Sequence, residues 1–336
     1  MESDKTYLLA GDVGGTKTRL WIYTVGPDGP SAVDGETYAS GEAGSLEAMV
    51  ARLLQRHPVP VTAACFGIAG PVKGDTAHLT NLGWEVSGDR MRQRFHWEKV
   101  QLVNDLTATA LAIGRLGPQE LVPLNRAAGD KAGAVALVAP GTGLGLGLMM
   151  NDNGRHLTLA SEGGHADFAP TDEDEVRLWR YLRGRYDHVS LERVLSGQGL
   201  VNIYAWMHNE REAERAAHAE RSAEIMQAPD PARAITRHAL DGGDDLCRDA
   251  LLRFCRIMGA VAGNLALTGL TTGGVYIGGG IPPKILPILQ KSDFMIGFSA
   301  KGRFSDLLAD IPVWVIGNDK AALMGAAQRA FELAAR

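Results

Sequence analysis

Two stretches of this chain, LLAGDVGGTKTRLWIY (residues 8–23) and VALVAPGTGLGLGLMM (residues 135–150), have the same order of features. In each, an apolar run leads into a short turn of glycine and threonine, and a second apolar run follows. Apolar runs on both sides of a glycine turn are typical of paired strands. Because the two copies start about 130 residues apart, and solenoid repeats are only ~20–50 residues long, the pattern indicates two related α/β halves.

The first hundred residues alternate strand and helix patterns, as an α/β fold requires, and helix patterns predominate after residue 170. Ser45 is expected to cap the first helix, and Thr171 and Ser190 are expected to cap two later ones. Residues 210–224 are charged on most faces, which favours a solvated helix. The strands are predicted at 7–10, 19–24, 33–38, 61–66, 100–103, 135–139, 144–150 and 274–277, and the helices at 46–55, 106–113, 175–186, 191–195, 251–267 and 320–335.

Length and composition limit the classes of protein. The 336 residues correspond to roughly two domains, and 34 basic against 39 acidic residues give a net charge of −5. That charge argues against nucleic acid or a membrane surface as the main partner and favours small molecules. Cys65, Cys247 and Cys255 form no CxxC pair, so we expect reduced thiols in a cytoplasmic protein. The uncharged stretches 132–151 and 257–283 contain several glycines and are expected to be strands and turns rather than membrane spans.

The first glycine turn, Gly11 to Thr18, nearly matches the phosphate-binding pattern GxxxxGK[ST], but Thr16 occupies the position of the last glycine. A strand rather than a helix is predicted to follow it, and no GxGxxG pattern follows a strand, so neither a P-loop nor a dinucleotide fold is supported. Asp12 would repel a phosphate unless Mg²⁺ lay between them. This loop therefore indicates either a metal–nucleotide site or a plain glycine hairpin.

Two further glycine turns favour the nucleotide interpretation. Gly141-Thr142-Gly143 joins the second pair of strands, and Gly278-Gly279-Gly280 follows another apolar strand. Glycines let backbone N–H groups approach phosphate oxygens, and threonine hydroxyls add donors. Three such turns are hard to explain by folding needs alone.

With these motifs in place, the chain resembles the bacterial glucokinases of the non-repressor type, within the superfamily of sugar kinases, actin and heat-shock chaperone ATPases. The resemblance extends over nearly the whole chain. It implies a two-domain, actin-like (ribonuclease H-like) α/β ATPase fold with the active site in the interdomain cleft. We expect a small domain of residues 1–115 with 317–336, and a large domain of residues 116–316 with helical insertions. The repressor-containing branch has a cysteine-rich zinc motif that this sequence lacks.

The resemblance also assigns the nucleotide contacts. ATP with Mg²⁺ is the implied cofactor pair, and Asp12 is the implied metal contact, through water. The residues that correspond to the phosphate and adenosine loops are Gly11, Asp12, Val13, Gly14, Gly15 and Thr16 in the first loop, Gly141, Thr142 and Gly143 in the second, and Gly279 and Gly280 in the third.

Asn104 and Asp105 lie where a buried strand meets a helix. By itself an aspartate there would be a helix N-cap, but the segment resembles the family motif NDxTA, whose aspartate accepts the proton of the sugar hydroxyl. Asp105 is therefore the expected catalytic base. Glu162, His165 and Glu192 match the family residues that hold glucose together with Asn104 and Asp105, although in isolation they could be ordinary loop and helix residues. His165 and Asp167 alone are too few ligands to favour a metal site.

The resemblance implies transfer of the γ-phosphoryl group of ATP to the 6-hydroxyl of glucose, the first step of glycolysis. A non-catalytic sugar-binding regulator, or a kinase for another hexose, are the alternatives. The regulator is disfavoured because no DNA-binding helix–turn–helix precedes the first strand. A homodimer is expected only because it is the commonest assembly of soluble enzymes.

Overall fold

The computed structural model describes residues 5–79, 82–130, 132–152, 155–159, 161–210 and 215–335. The chain divides into two compact units. The first unit comprises Met1–Glu120 and Asn318–Arg336, and the second comprises Leu121–Gly317. The chain therefore leaves the first unit once and returns to it for its last helix.

Most strands of the first unit precede the second unit in the chain. The first unit contains β1 (Tyr7–Val13), β2 (Lys17–Gly26), β3 (Gly29–Ala39), β4 (Val61–Ile68), β5 (Val72–Lys73), β6 (Thr76–Leu79), β7 (Trp84–Ser87) and β8 (Lys99–Asn104). The second unit contains β9 (Leu121–Pro123), β10 (Val135–Pro140), β11 (Leu144–Asp152), β12 (Arg155–Leu159), β13 (Gly274–Ile277) and β14 (Val313–Ile316).

The helices are concentrated in the second unit. The first unit has α1 (Leu46–Arg56), α2 (Gly88–Phe95) and α3 (Asp105–Ala112). The second unit has α4 (Glu173–Arg183), α5 (Gly197–Glu210), α6 (Arg215–Gln227), α7 (Pro231–Leu240), α8 (Asp245–Gly269), α9 (Leu286–Leu289), α10 (Phe294–Ser299) and α11 (Ser305–Ala309). The chain ends in the first unit with α12 (Ala321–Ala334).

The two main sheets share one pattern of strand pairing. Among the described residues the first unit forms a five-stranded sheet in the order β3-β2-β1-β4-β8, with β1 antiparallel to β2 and parallel to β4. The second forms a six-stranded sheet in the order β12-β11-β10-β13-β14-β9, with β10 antiparallel to β11 and parallel to β13. The predicted α/β fold with two related halves is therefore confirmed.

Alternation along β1 gives the first sheet two buried faces. Leu9 and Val13 pack into one apolar cluster, whereas Leu8 and Ala10 pack into another, which includes Leu323 of α12. Because successive side chains of a strand point to opposite faces, a strand buried on both faces must be apolar throughout. This accounts for the continuous apolar run that leads into the first glycine turn.

The longest helix, α8, is the core helix of the second unit. Cys247, Leu251, Phe254 and Met258 on this helix are fully buried. Among the described residues it is the one helix long and apolar enough to cross a membrane by length and composition, yet 67% of its most apolar window is buried by protein. The helix predicted at 251–267 is confirmed as part of α8. The prediction of strands and turns over all of residues 257–283 was therefore wrong for the first half of that stretch, because core burial makes such a helix apolar all round.

Two predicted helix caps differ in the structure. The cap of α4 is Asp172, whose side chain accepts the Glu175 N–H at 2.8 Å, while Thr171 bonds to the Glu175 carboxylate instead. Ser190 makes no capping hydrogen bond, and only a turn of 3₁₀ helix, Leu191–Arg193, follows it. Residues 210–224 include 211–214, which lie outside the described residues, and α6 begins at Arg215.

Candidate active site

The first glycine turn joins β1 to β2, as predicted, so a strand follows it. The Gly14 N–H donates to the Lys17 carbonyl at 3.0 Å, which closes the hairpin over Gly15 and Thr16. Thr16 is exposed at its tip. Before the turn, a methyl group on Gly11 would lie 2.5 Å from Cδ1 of the buried Phe66. Glycine at position 11 therefore satisfies packing within the sheet, apart from any contact with a ligand.

Asp12 lies near the end of β1, opposite Arg19 on β2. A guanidinium nitrogen of Arg19 lies 3.5 Å from Asp12 Oδ2, and the same side chain forms an ion pair with Asp319. Burial raises the pKa of Asp12 and the Arg19 charge opposes that rise. Arg19 is only 9% exposed, so it holds Asp12 in place at a partly buried position. No local sequence pattern links Arg19 to Asp319, because 300 positions separate them.

Asn104 and Asp105 form the junction between β8 and α3. Asn104, not Asp105, is the N-cap: its side-chain oxygen accepts the Leu106 N–H at 2.9 Å and its amide donates to the Gly70 carbonyl at 3.0 Å. Asp105 Oδ1 also accepts the Leu106 N–H, at 2.8 Å. Asn104 therefore satisfies the helix terminus, and the Leu106 N–H, the Asp105 N–H and the Asn104 side chain all hydrogen-bond to the Asp105 carboxylate.

The surroundings of Asp105 disfavour the ionised form of its carboxyl group. Burial raises its pKa to about 6, the Leu106 N–H opposes that rise, and the negative charge of Asp12 adds to it. Gly67 of β4 allows α3 to pack close to the sheet. A methyl group on Gly67 would lie 2.9 Å from Ala108 Cβ and 3.8 Å from Asp105 Cα. A buried carboxylate with a raised pKa is typical of a group that exchanges protons.

The second glycine turn joins β10 to β11, and the carboxylate of Glu192 lies against it. The Gly141 N–H donates to the Gly143 carbonyl at 2.8 Å, and Thr142 is exposed. Glu192 Oε2 accepts the Leu144 N–H at 2.9 Å, and a methyl group on Gly143 would lie 2.6 Å from that oxygen. Glu192 therefore packs directly against the turn, and the missing side chain at position 143 makes room for it.

Residues 161–170 lie against the start of β11. Glu162 and His165 are exposed at either end of a short 3₁₀ turn, Gly163–His165. A side chain on the buried Gly164 would overlap the Leu144 carbonyl. The Leu191 N–H donates to the Ala166 carbonyl at 2.8 Å and ties this segment to the one that carries Glu192. The second unit therefore brings Glu162, His165 and Glu192 together around the start of β11.

His188 and Asp167 form a pair that the sequence analysis did not assign. His188 Nε2 and Asp167 Oδ1 lie 2.8 Å apart, between the same two segments. Within the described ranges, no group of three or more histidine, cysteine, aspartate or glutamate residues could hold a metal ion. Asp167 is thus a partner of His188 rather than of His165.

The third glycine turn packs against the second. The Gly278 N–H donates to the Val138 carbonyl at 2.9 Å. Gly279 has φ +82°, and a side chain there would collide with the Pro140 carbonyl, whereas a methyl group on Gly280 would meet nothing within 4 Å. A cavity of about 870 Å³ opens between these turns and helices α5 and α7, and its lining includes Gly141, Thr142, Gly280, Gln198, Arg233 and Lys284.

Replacement of Gly279 tests this packing. We expect Gly279→Ala to lower the free energy of unfolding by about 1–3 kcal/mol, because a left-handed backbone and a backbone collision both oppose a side chain. Urea unfolding followed by circular dichroism measures the change. Gly280→Ala is the matched control, since its methyl group has free space. Equal stability of both variants would contradict the proposed close packing.

Comparisons with known proteins agree over the full length. A family model described as Glucokinase matches residues 9–332. The glucokinase of Nostoc sp. is 40% identical over 335 residues, which cover 96% of this chain and 98% of that protein. The crystal structure of a glucokinase from an Antarctic psychrotroph is 32% identical, with a TM-score of 0.85 over 97% of this chain and 99% of that one. A glucokinase of the ROK family from Streptomyces griseus, solved with glucose and AMPPNP, shares the fold at 23% identity, with a TM-score of 0.63 over 98% of this chain and 100% of its own.

Proposed function

The chain belongs to the glucokinase family and is an ATP-dependent hexose kinase, and on this basis we propose how its own residues transfer the γ-phosphoryl group of ATP to the 6-hydroxyl of glucose. The products are glucose 6-phosphate and ADP, which makes the reaction the first step of glycolysis. The observation that carries the proposal is the Asp105 carboxylate, which has one oxygen bonded to the start of α3 and a pKa raised to about 6.

Asp105 is the proposed catalytic base. Its carboxylate accepts a hydrogen bond from the sugar hydroxyl, orients that hydroxyl oxygen toward the γ-phosphorus and takes its proton as the new P–O bond forms and the bond from that phosphorus to the ADP oxygen breaks. Phosphoryl transfer passes through a loose transition state, so alignment of the alcohol contributes more than its prior deprotonation. A pKa of about 6 suits this task, because the group is ionised at neutral pH and remains basic enough to accept a proton.

The nucleotide is proposed to bind through the three glycine turns. The first turn would supply backbone N–H groups and the Thr16 hydroxyl, the second would supply those of Gly141 to Gly143, and the third would border the adenosine. The cavity of about 870 Å³ is large enough for a nucleoside, and its lining has two cations, Lys284 and Arg233, against one carboxylate, Asp230, which favours an anionic ligand. The ligands reported for the Streptomyces griseus structure, glucose and AMPPNP, support this pair of substrates.

Asp12 is the proposed contact for Mg²⁺, through water. Mg²⁺ in kinases is held by one or two carboxylates together with substrate phosphates, and a single partly buried carboxylate at the phosphate turn fits that donor set. Burial and the nearby Asp319 both raise the pKa of Asp12, so a cation beside it would be stabilised. When bound, Mg²⁺ neutralises charge on the transferred phosphoryl group. Arg19 opposes the rise in the pKa of Asp12 and pairs with its carboxylate.

The proposed glucose contacts are Asn104, Asp105, Glu162, His165 and Glu192. Carboxylates accept hydrogen bonds from neighbouring sugar hydroxyls, and an imidazole can donate or accept. Glu192 has one oxygen committed to the Leu144 N–H, which leaves the other for a hydroxyl. The exposed Glu162 has both oxygens available.

Glu162→Gln tests the sugar contacts. We expect KM for glucose to rise roughly 10- to 100-fold, since an acceptor of two hydrogen bonds becomes a mixed donor and acceptor, and a bond to a charged group is worth ~1.5–3 kcal/mol. Steady-state kinetics with varied glucose measures the effect. Glu173→Gln is the matched control, because Glu173 is an exposed carboxylate of the same unit. An unaltered KM would place Glu162 outside the sugar site.

The reaction itself is tested by product formation from Mg²⁺-ATP with glucose, fructose, mannose and N-acetylglucosamine in parallel, with Asp105→Asn as the blank. Turnover on glucose that is lost in the variant supports both the reaction and the base. A higher kcat/KM on another hexose would assign that sugar instead. Glucose binding in calorimetry without turnover on any sugar would favour the sugar-binding regulator.

The protein is also proposed to act in the cytoplasm as a homodimer, without nucleic-acid or membrane partners. Cys65, Cys247 and Cys255 are free and buried, as is typical of proteins from reducing compartments. The homodimer rests only on the general frequency of closed two-fold assemblies. Sedimentation equilibrium distinguishes a mass of about twice 35.9 kDa from the monomer mass.

A further inference from the structure

The first unit contains a second cavity, of about 300 Å³, between strand β2 and helix α12. Trp21 and Tyr23 of β2 form one wall, and Leu323 and Met324 of α12 form another. Arg115 and Lys320 lie at its edge. Its volume is at the lower end of the ~300–1,000 Å³ found for small-molecule sites, and none of these residues belongs to the proposed nucleotide or sugar contacts.

A tyrosine side chain lines this cavity. Tyr23 is only 5% exposed, and among the described residues its phenol group has no hydrogen-bond partner. Burial raises the pKa of Tyr23 to about 12, so the hydroxyl stays protonated and can donate. A ligand with an acceptor oxygen in the cavity would receive a hydrogen bond from this hydroxyl.

Two cations at the cavity lack a carboxylate partner within the described part of the chain. The Lys320 ammonium lies 4.7 Å from the centroid of the Trp21 ring, and the Arg115 guanidinium donates to the Asp28 carbonyl. The nearby acids are engaged elsewhere, because Glu120 bonds to Asn318 and Asp319 pairs with Arg19. No aspartate or glutamate is among the described residues that line the cavity.

We propose that this cavity is an effector site for a small organic anion, a carboxylate or phosphate ester with a flat apolar body. The body would pack on the Trp21 ring and against Leu323 and Met324, while the acid group would bind Lys320, Arg115 and the Tyr23 hydroxyl. The apolar walls favour an organic anion over a simple inorganic one, because burial of apolar surface adds to the charge attraction.

Two backbone segments connect this cavity to Asp12: strand β2 and residues 318–320. Lys320 directly follows Asp319, which pairs with Arg19, and Arg19 in turn holds Asp12. On β2, Arg19 and Trp21 are alternate residues of one strand. A ligand that reorients residues 318–320 would therefore shift the ion pair beside Asp12. This second part rests on the proposed function, since it requires Asp12 to act toward ATP.

The binding test uses phenyl phosphate and benzoate as probes, and benzyl alcohol as the uncharged comparison, in calorimetry with saturating ADP. We expect saturable 1:1 binding of the two anions and at least tenfold weaker binding of the alcohol. Lys320→Gln and Arg115→Gln should each weaken phenyl phosphate binding about tenfold, whereas Lys73→Gln, an exposed lysine of the same unit, should not. Absence of saturable binding, or equal affinity in all variants, would overturn the site.

The effector role is tested separately by kinetics. We expect phenyl phosphate to change KM for Mg²⁺-ATP at least twofold in the unmodified enzyme and to leave it unchanged in Lys320→Gln. Because coupling between two ligands is reciprocal in their binding constants, the probe and an ATP analogue should change each other's dissociation constant by the same factor. Calorimetric binding without any kinetic change would refute the effector role, and because binding is measured without turnover, that result is distinguishable from failure of the kinase assignment.

Discussion

Asp105→Asn is expected to lower kcat by about 10²- to 10⁴-fold while glucose binding stays near normal. The amide preserves the shape of the side chain and one acceptor oxygen, so the helix start and the sugar contact survive. It cannot accept the hydroxyl proton. Stopped-time assays of glucose 6-phosphate give kcat, and calorimetry with glucose gives the binding constant. Unchanged turnover would remove Asp105 from the mechanism.

The pH profile gives a second test of the same group. Since burial raises the pKa of Asp105 to about 6, the base becomes protonated as the pH falls through that value. We expect kcat/KM to fall about tenfold per pH unit below pH 6, and the residual activity of Asp105→Asn to lack this limb. A profile that stays flat down to pH 5 would contradict an essential carboxylate with this pKa.

Measurements of the stability of Asp105→Asn show whether the variant loses activity through catalysis or through unfolding. A carboxyl group with a pKa near 6 in the folded state and ~3.9 in the unfolded state destabilises the fold once it ionises, so its cost is absent below pH 4 and present above pH 6. We therefore expect Asp105→Asn to be more stable than the parent at pH 8 and similar to it at pH 4. Asp89→Asn is the matched control, because Asp89 is exposed in the first turn of α2.

Asp12→Asn is expected to lower kcat/KM for ATP by about 10²-fold, because it removes the one carboxylate proposed to contact Mg²⁺, whose charge stabilisation is worth several kcal/mol. The Mg²⁺ concentration for half-maximal activity should rise as well. Titration of ADP by calorimetry, with and without Mg²⁺, provides a readout without turnover: the Mg²⁺-dependent gain in affinity should shrink in the variant.

The control for Asp12 is Asp34→Asn, which makes the same charge change at an exposed position of β3 in the same sheet. Arg19 should remain paired with Asp319 in Asp12→Asn, so the fold around β2 should be preserved. A variant that retains the full Mg²⁺ dependence of ADP binding would exclude Asp12 as the metal contact.

Much of the fold could be predicted because the signals are local. Apolar runs on both sides of Gly14-Gly15 and of Gly141-Thr142-Gly143 identify two hairpins, and both appear at those positions. Helix caps were less predictable. Several polar residues before α4 are able to cap it, among them Thr171 and Asp172. Asp172 is the cap because Thr171 hydrogen-bonds to the Glu175 carboxylate instead.

By itself the sequence determined the α/β pattern, the three glycine turns and, through their resemblance to a family, the candidate base and sugar contacts. Only the tertiary structure decided that Arg19 joins Asp12 to Asp319, that Glu192 packs against Gly143 and that Asp105 has a raised pKa. Strand and turn formation depends on neighbouring residues and follows from local order. Desolvation and ion pairing depend on which distant residues meet, and residues 12, 19 and 319 meet only once the chain has returned to its first sheet.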